Sequence, residues 1–258
     1  MASRHNRSAV PHRLKLFIDD GGVMNDNARR GPQFARLVGK YMPPRLGGSP
    51  EAWAAANTEV ATGLFERHFA HFGANPYASW HAFWDVYEFE WLAGMCSKVG
   101  VAAPEDAVAF RSLARECDAY VTRRVRSALP GSVGAIRSLH RAGFTLLTAS
   151  GEASWELDGY LAGMRVRAYF DGHLYGPDQV DTAKFSPVYY ERIFAHSEVN
   201  PADALVVDDS EQALDWAAEL GAHTVLCNLN APGNPRHGHI KSLAALPSIL
   251  LCSAGLHL

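Results

Sequence analysis

Residues 14–27 read LKLFIDDGGVMNDN, a short apolar run that ends in two acids and two glycines. The run from Leu14 to Ile18 is too short and too apolar to stand alone, so it predicts a strand inside a larger sheet. Two acids placed directly after such a strand, Asp19 and Asp20, indicate a functional site at its tip. The strand needs partners from elsewhere in the chain.

The second half of the chain supplies these partners, because short apolar stretches alternate there with amphipathic ones. We predict helices over 130–143, 186–196 and 210–222, and strands over 144–150, 204–210 and 223–229. Strands that alternate with helices indicate a parallel sheet covered on both faces. The predicted fold class is therefore α/β, a Rossmann-like parallel sheet with helices on both faces, with the strand at 14–18 as a central member.

The region between the first strand and this sheet is helix-like and rich in aromatic residues. Its clearest helices are predicted over 52–72 and 80–96. An insertion at the tip of a strand lies over the edge where open α/β sheets bind ligands, so we expect an α-helical cap domain. The predicted boundaries are a disordered leader over 1–13, a core domain over 14–26 and 126–258, and a cap domain over 27–125.

Composition excludes several classes of protein. The 258 residues are 48% hydrophobic and 20% charged, with a net charge of −3, so nothing suggests a nucleic-acid surface or a polybasic membrane patch. No apolar stretch reaches the roughly 18–20 residues that cross a bilayer. The four cysteines show no paired spacing, which favours the reducing cytoplasm over a disulfide framework. The pattern gives no indication of the oligomeric state.

Polar side chains follow three of the predicted strands or lie in the loops beyond them. They are Asp19 and Asp20, Thr148, Lys184, Asp208 and Asp209. A parallel sheet gathers such positions into one crevice. Carboxylates hold Mg²⁺ well, an ammonium offsets phosphate charge, and a carboxylate can act as a nucleophile. The set predicts a small-molecule site that handles a phosphoryl group with a Mg²⁺ ion.

Four stretches in this order resemble the haloacid dehalogenase (HAD) superfamily. They are DDGGVM (19–24), LLTAS (146–150), KFSP (184–187) and VVDDS (206–210). The family pattern is a strand ending in D-x-D-G-[TV]-[LVM], a strand ending in Ser or Thr, a Lys before a helix, and a strand ending in an acidic pair. The resemblance spans residues 14 to about 230 and implies the type with a helical cap between the first and second motifs.

The resemblance also implies roles for individual residues. Alignment on Gly22 makes Asp19 the nucleophile that forms an aspartyl-phosphate. Thr148 would bind a phosphoryl oxygen, with Ala149 beside it in the substrate site and Ser150 as a competitor for the role. Lys184 would pair with Asp19 and the phosphate. Mg²⁺ would be held by Asp19, Asp208, Asp209 and the backbone carbonyl of Gly21.

Gly21 departs from the family pattern. The phosphatases carry there a second Asp, which protonates the leaving group and activates water, and such help contributes about 10²–10⁴ in rate. Asp20 should point to the opposite face of the extended segment. Asp26, or the cap histidines His68, His71 and His81, are candidates to replace the missing acid. A zinc site at His68 and His71 is the weaker interpretation, because such histidines are more often surface or core residues.

Three functions follow from this pattern. The first is a Mg²⁺-dependent phosphatase or phosphotransferase acting on a small phosphorylated metabolite. The second is a HAD-fold domain with weak or no hydrolysis that serves in binding or regulation. The third is dehalogenase- or phosphonatase-like chemistry, although dehalogenases do not use a metal pair of the Asp208–Asp209 type, and the cap lysines Lys40 and Lys98 have no telling context. The cap aromatics recur at helical spacing and are interpreted as cap core, with a substrate-facing role left open: Trp80, Phe83, Trp84, Tyr87 and Trp91.

Overall fold

A parallel sheet of five strands forms the centre of the protein. The computed structural model describes residues 14–170, 172–230 and 236–253, so the leader predicted over 1–13 lies outside the described residues. The strands are β1 (Lys15–Ile18), β2 (Thr145–Thr148), β3 (Ala204–Asp208), β4 (His223–Cys227) and β5 (Gly238–Ile240). They pair in the order β2-β1-β3-β4-β5, all parallel. The α/β fold class and the interior place of β1 are therefore confirmed.

Side chains of β1 alternate between the two faces of the sheet, as successive residues of a strand must. Leu16 and Ile18 pack into one buried cluster, while Phe17 packs into another. Helices α6 (Ser132–Arg141), α7 (Ser154–Gly163) and α11 (Leu246–Ser253) contribute to the first cluster. Helices α9 (Val188–Ser197) and α10 (Glu211–Glu219) contribute to the second. Both faces are covered, which explains why β1 reads as a continuous apolar run.

A helical cap is inserted between β1 and α6. It consists of α1 (Asn27–Tyr41), α2 (Pro43–Leu46), α3 (Pro50–Ala74), α4 (Trp80–Val99) and α5 (Ala107–Thr122). The cap has its own apolar cluster, in which Trp53, Leu92 and Met95 are fully buried. Ser49, Ser79 and Asp106 begin three of these helices by accepting a hydrogen bond from a backbone N–H of the first turn.

The sequence missed three helices and one strand. Helix α7, the one-turn helix α8 (Pro177–Val180), helix α11 and strand β5 were not predicted. Strand β5 is only three residues long, and α8 only four, so neither shows a periodic pattern. Among the described helices, none combines the length and the apolar character that crossing a bilayer requires.

Candidate active site

Three carboxylates meet at the carboxyl ends of β1 and β3. The register pairs Ile18 with Val207, so the residues that follow, Asp19 and Asp208, lie side by side. The backbone N–H of Asp19 donates to the carbonyl of Val207 at 2.9 Å, which fixes this end of the strand. Asp19, Asp208 and Asp209 each offer an oxygen, and the three oxygens lie within 4.8 Å of one another. Two of the predicted strand tips therefore converge.

Lys184 is the cation at the centre of this group. Its Nζ atom lies 3.0 Å from Asp19 Oδ1 and 2.5 Å from Asp208 Oδ2, and it donates to the carbonyl of Ala149 at 2.9 Å. The phenol of Tyr190 adds a hydrogen bond to Asp208 Oδ2 at 3.2 Å. The side chain of Lys184 is 11% exposed, so the ion pairs operate at low effective dielectric. The ammonium of Lys184 therefore links the ends of β1, β2 and β3, through Asp19, Ala149 and Asp208.

The electrostatics of Asp19 are those of a crowded, desolvated carboxyl. Its pKa is raised to about 8, chiefly by burial, with Lys184 opposing the rise and Asp208 and Asp209 adding to it. Burial lowers the pKa of Lys184, but the Asp19 and Asp208 carboxylates outweigh that effect and raise it. One ammonium does not balance three carboxylates, so the site has room for further positive charge.

The donor set fits a divalent cation. Hard carboxylate oxygens are the ligands that Mg²⁺ prefers, and it is commonly held by one or two carboxylates together with water and substrate oxygens. Asp19, Asp208 and Asp209 supply such oxygens, and the backbone carbonyl of Gly21 is a further candidate. Within the described part of the chain, these three acids form a group that could hold a metal ion, and His68 and His71 belong to no such group.

Gly22 is required by its backbone and by its surroundings. Its φ of +81° lies in the left-handed region that favours glycine. A Cβ atom at this position would lie 2.0 Å from Asp209 Oδ2, so only glycine lets the β1 loop approach the acidic pair.

Gly21 lines the site, and its neighbours occupy the space that a side chain would need. A Cβ atom would meet Asn27 Nδ2 at 2.8 Å, Asn27 Oδ1 at 2.9 Å and Arg30 Nη2 at 3.2 Å. The first turn of α1 therefore fills the direction in which the family's second Asp would extend. The side chains of Asn27 and Arg30 occupy the space beside Gly21, where the acid is absent.

Asp20 belongs to a buried polar network and not to the carboxylate cluster. Its carboxylate is fully buried and accepts from Asn25 Nδ2 at 2.6 Å and from Arg30 Nη1 at 2.6 Å. Arg30 also donates through Nη2 to Glu152 at 2.6 Å and to Asn27 at 2.5 Å. This network joins the loop after β1, the first turn of α1 and the loop after β2. Neither Arg30 nor Glu152 was predicted from the sequence.

In the loop after β2, the hydroxyl of Thr148 is bonded within the protein and Ser150 lines the cavity. Thr148 is fully buried and donates its hydroxyl to the carbonyl of Tyr175 at 3.1 Å, whereas Ser150 lines the cavity next to Asp19. The carbonyl of Ser150 accepts from the phenol of Tyr189 at 2.6 Å. The loop is thus held by two tyrosines, and the role of Thr148 toward a phosphoryl group stays a prediction.

The candidates for a replacement acid are placed unequally. Asp26 caps α1 and accepts from the backbone of Ala28 at 2.9 Å, so its carboxylate is committed to the helix. His81 lies on the exposed surface, where its backbone N–H donates to Asp181. His68 lines the cavity, but burial lowers its pKa to about 4, with His71 adding to the effect. A histidine kept neutral is a poor proton donor at neutral pH.

A large cavity extends from Asp19 into the space between core and cap. Its volume is about 1440 Å³. Some predicted cap aromatics line it, namely Trp80, Trp84, Tyr87 and Trp91, and Trp91 also packs in the cap core. Phe83 lies instead in an aromatic cluster with Phe72 and the histidines of α3. The cap aromatics therefore divide between the cap interior and the cavity wall, with Trp91 in both, and a substrate-facing role stays a prediction.

Comparison with known proteins agrees with this geometry. A family model described as haloacid dehalogenase-like hydrolase matches residues 40–221. Among solved structures, L-2-haloacid dehalogenase from Xanthobacter autotrophicus is 16% identical, with a TM-score of 0.60 over 95% of this chain and 100% of that one. A HAD phosphatase from Thermococcus onnurineus is 16% identical, with a TM-score of 0.56 over 92% and 97%. YfnB from Bacillus subtilis, described as a HAD-hydrolase bound to magnesium, is 16% identical, with a TM-score of 0.60 over 92% and 98%.

At these identities the solved structures establish the fold alone, and they include both dehalogenases and phosphatases. The comparison with curated protein sequences gave no match. The family model covers more than half of the chain, from within α1 to the end of α10. On that match, supported by the parallel sheet and helical cap, the chain belongs to the haloacid dehalogenase-like hydrolases.

Proposed function

We propose that the protein is a Mg²⁺-dependent phosphatase or phosphotransferase that acts on a small phosphorylated molecule. The observation that carries the proposal is the convergence of Asp19, Asp208 and Asp209 within 4.8 Å, with Lys184 bonded to two of them. Three carboxylates around one ammonium suit a divalent cation and a phosphoryl group better than they suit an apolar substrate alone.

In this mechanism Asp19 is the nucleophile. One carboxylate oxygen forms a bond to phosphorus as the ester P–O bond breaks, which gives an aspartyl-phosphate and an alkoxide. Water then attacks phosphorus, the acyl-phosphate bond breaks, and the carboxylate is regenerated. The proton that the water loses passes through solvent to the alkoxide, so the products are the alcohol and inorganic phosphate. Lys184 orients Asp19 and neutralises phosphoryl oxygens. Asp19, Asp208, Asp209 and the carbonyl of Gly21 would hold Mg²⁺, which would supply Lewis-acid stabilisation of phosphoryl charge.

The loop after β2 contributes the remaining substrate contacts in this proposal. Thr148 and Ala149 would bind phosphoryl oxygens, and Ser150 is placed along the cavity to compete with Thr148 for that role. Residues 27–125 would act as the cap domain that covers the bound substrate, over the core of 14–26 and 126–258. The cysteines are all free, which supports a reducing cytoplasmic setting: Cys96, Cys117, Cys227 and Cys252.

A test of this function compares turnover with and without metal. Purified protein with MgCl₂ should release phosphate from p-nitrophenyl phosphate or from members of a panel of metabolite phosphates, and EDTA should abolish the release. Asp19→Asn should remove the activity, while Asp85→Asn, a change of the same chemistry at an exposed cap position, should leave it intact. Absence of Mg²⁺-dependent turnover across the panel would overturn the proposal.

Gly21 favours a second candidate, attack by Asp19 on a carbon–halogen bond. A halide leaves as a stable anion and needs no proton, so the missing acid matters less. Several of the similar solved structures are L-2-haloacid dehalogenases. Halide release from 2-haloacids in the presence of EDTA would support this candidate over the phosphatase. Failure of both assays in a folded protein would leave the binding or regulatory domain as the function.

A further inference from the structure

The cavity beside Asp19 is much larger than a phosphoryl group requires. Its volume of about 1440 Å³ exceeds the roughly 300–1,000 Å³ that is usual for ligand sites. Residues of both cap and core line it, and most of it lies away from the acidic cluster of Asp19, Asp208 and Asp209. The non-reacting part of the substrate must therefore be matched by the remaining walls.

One side of the cavity is an aromatic wall, formed by Trp80, Trp84 and Tyr87 of α4 and Trp155 of α7. Trp84 stacks between its two neighbours on α4, with ring centroids 4.8 Å from Trp80 and 4.9 Å from Tyr87. Trp155 packs against Trp80 at 5.7 Å and Trp84 at 5.6 Å. Such rings offer electron-rich faces that attract cations as well as apolar groups.

Five acids that belong to none of the proposed catalytic contacts also line the cavity. Two of them have cationic partners: Glu88 pairs with Arg115 at 3.1 Å, and Glu152 pairs with Arg30 at 2.6 Å. The other three, Glu66, Asp118 and Glu156, form no ion pair within the described residues. Glu66 is exposed, and Glu156 accepts a hydrogen bond from the backbone N–H of Ala153 at 3.1 Å.

Asp118 and Glu156 lie in a crowded acidic part of the cavity, where Arg30 and the backbone of Ala153 favour the ionised form of Glu156 only. The pKa of Asp118 is raised to about 7, chiefly by burial and also by the nearby carboxylates of Glu152 and Glu88. Burial also raises the pKa of Glu156, with Glu152 and Asp118 adding to the effect. A cation in the cavity would relieve this repulsion, because an opposite charge nearby favours the ionised form of a carboxyl.

A phenol of the cavity lining at the same place makes no hydrogen bond to the described residues. Tyr160 lines the cavity and is 4% exposed, and its hydroxyl makes no hydrogen bond to any residue that the structure describes. The carboxylates of Glu152, Glu156 and Asp118 all influence this phenol. Arg30 lies over the ring of Tyr160 at 4.9 Å and pairs with Glu152, so Asp118 is the acid beside this phenol that has neither an ion pair nor a hydrogen-bonded carboxylate among the described residues. A hydroxyl that faces a cavity without a protein partner is available to a ligand that supplies the contact.

We propose that this cavity binds an organic ammonium, a protonated amine or quaternary ammonium carried on an apolar or aromatic group, between Asp118, Glu156 and the aromatic wall. An anionic group would meet like charge, and a neutral group would leave both acids without a counter-ion. The inference rests on the proposed function only in that the phosphorylated end of the same substrate would reach Asp19.

The test measures binding apart from hydrolysis. Phenyltrimethylammonium, its neutral isostere tert-butylbenzene and the anion benzoate are titrated into the full-length protein at pH 8 by calorimetry. We expect the cation to bind at least tenfold more tightly than the isostere, and benzoate not to bind. Equal affinity for the cation and its isostere would overturn the proposal.

Variants locate the site. Asp118→Asn and Glu156→Gln should each weaken cation binding at least fivefold and leave the thermal midpoint unchanged or higher, because neither carboxylate forms an ion pair among the described residues that the change would break. Asp85→Asn and Glu105→Gln, matched changes at exposed acids, should have no effect. Unchanged cation affinity in both cavity variants would refute the assignment.

The outcome is separable from that of the phosphatase proposal. Asp19→Asn should retain cation binding even though it removes turnover. Cation binding in a protein that hydrolyses no phosphate would count against the phosphatase alone. A protein that hydrolyses phosphates with no preference for the cation over its isostere would count against the ammonium site alone.

Discussion

The most informative perturbation of this protein is Gly21→Asp, which restores the acid–base group of the family's phosphatases. The new Cβ atom would lie 2.8–2.9 Å from the Asn27 amide and 3.2 Å from Arg30 Nη2. Arg30 cannot retreat easily, because Asp20 and Glu152 hold it at 2.6 Å each. Asn27 must therefore move, and we expect the single variant to gain little while the double variant Gly21→Asp, Asn27→Ala gains more.

The expected size of the gain follows from the chemistry and from Arg30. General acid–base catalysis contributes about 10²–10⁴ in rate, or roughly 3–5 kcal/mol of barrier. The nearby guanidinium lowers the pKa of the new carboxyl, so the group spends little time protonated at neutral pH. The acid function is therefore weakened while the base function is kept. We expect the double variant to gain roughly 10², the lower end of the range.

Two substrates separate the acid and base functions in the assay. The alkoxide of an alkyl phosphate needs a proton as it leaves, whereas p-nitrophenolate does not. With the natural Gly21, p-nitrophenyl phosphate should give a burst of p-nitrophenol equal to the enzyme, followed by slow turnover, because no base activates water against the aspartyl-phosphate. The double variant should abolish the burst by speeding the second step, and it should raise steady-state turnover of both substrates.

The control is Asn27→Ala alone, which opens the same space without adding a carboxyl. A folded double variant that is no faster than this control on either substrate would refute the role given to position 21. A single Gly21→Asp variant with the full gain would also refute the steric account, because the space beside Asn27 would then not limit the site.

Three further outcomes follow from local geometry. Gly22→Ala places a Cβ atom 2.0 Å from Asp209 Oδ2 at a φ of +81°. We expect the free energy of unfolding to fall by at least about 1–2 kcal/mol and Mg²⁺ binding, measured by titration, to weaken. The control Gly63→Ala, in open space within α3, should instead stabilise the protein by roughly 0.5–1 kcal/mol. The pKa of His68 is lowered from 6.5 to about 4, so between these pH values the unfolded chain binds a proton that the folded protein does not. The free energy of unfolding should therefore be highest above pH 6.5 and fall by at most about 3 kcal/mol as the pH falls toward 4. Urea unfolding of His68→Phe should show a shallower decline of stability across that window, and an unchanged slope would contradict the assignment. Asp181 Oδ1 accepts two hydrogen bonds from the start of α4, at 2.8 and 3.0 Å, so Asp181→Gly should speed amide exchange in the first turn of α4 about fivefold, and no change there would show that the contact does not hold the cap.

Most of the sheet could be predicted from the sequence, because the strands β1 to β4 are short, largely apolar and followed by a recognisable break. The prediction that Asp19 and Asp208 meet required only that β1 and β3 be parallel neighbours. Lys184 also contacts Asp19 in the structure, although 165 positions separate the two residues in the sequence. The resemblance to the family supplied the register of the first motif, which composition alone does not contain.

The remainder depended on tertiary packing that no local pattern encodes. Nothing in the residues around Asp118 or Glu156 shows that α5 and α7 face one cavity, so the unpaired acids were not predicted. The sequence predicts Thr148 as a substrate-binding residue, yet in the structure its hydroxyl donates to the backbone carbonyl of Tyr175. The replacement of a carboxylate by the first turn of α1 became visible only when the contacts of Gly21 were known.

The network of Asp20, Arg30 and Glu152 has a consequence for how this sequence can vary. Removing one member of a buried, hydrogen-bonded charge group leaves its partners uncompensated, at a cost of about 3–5 kcal/mol. Single substitutions at these positions should therefore be rare among relatives of this chain, and replacements should occur as a set. Relatives that regain an acid at position 21 should have altered Asn27 as well, so the ancestry of the site can be followed through α1 as much as through the motif itself.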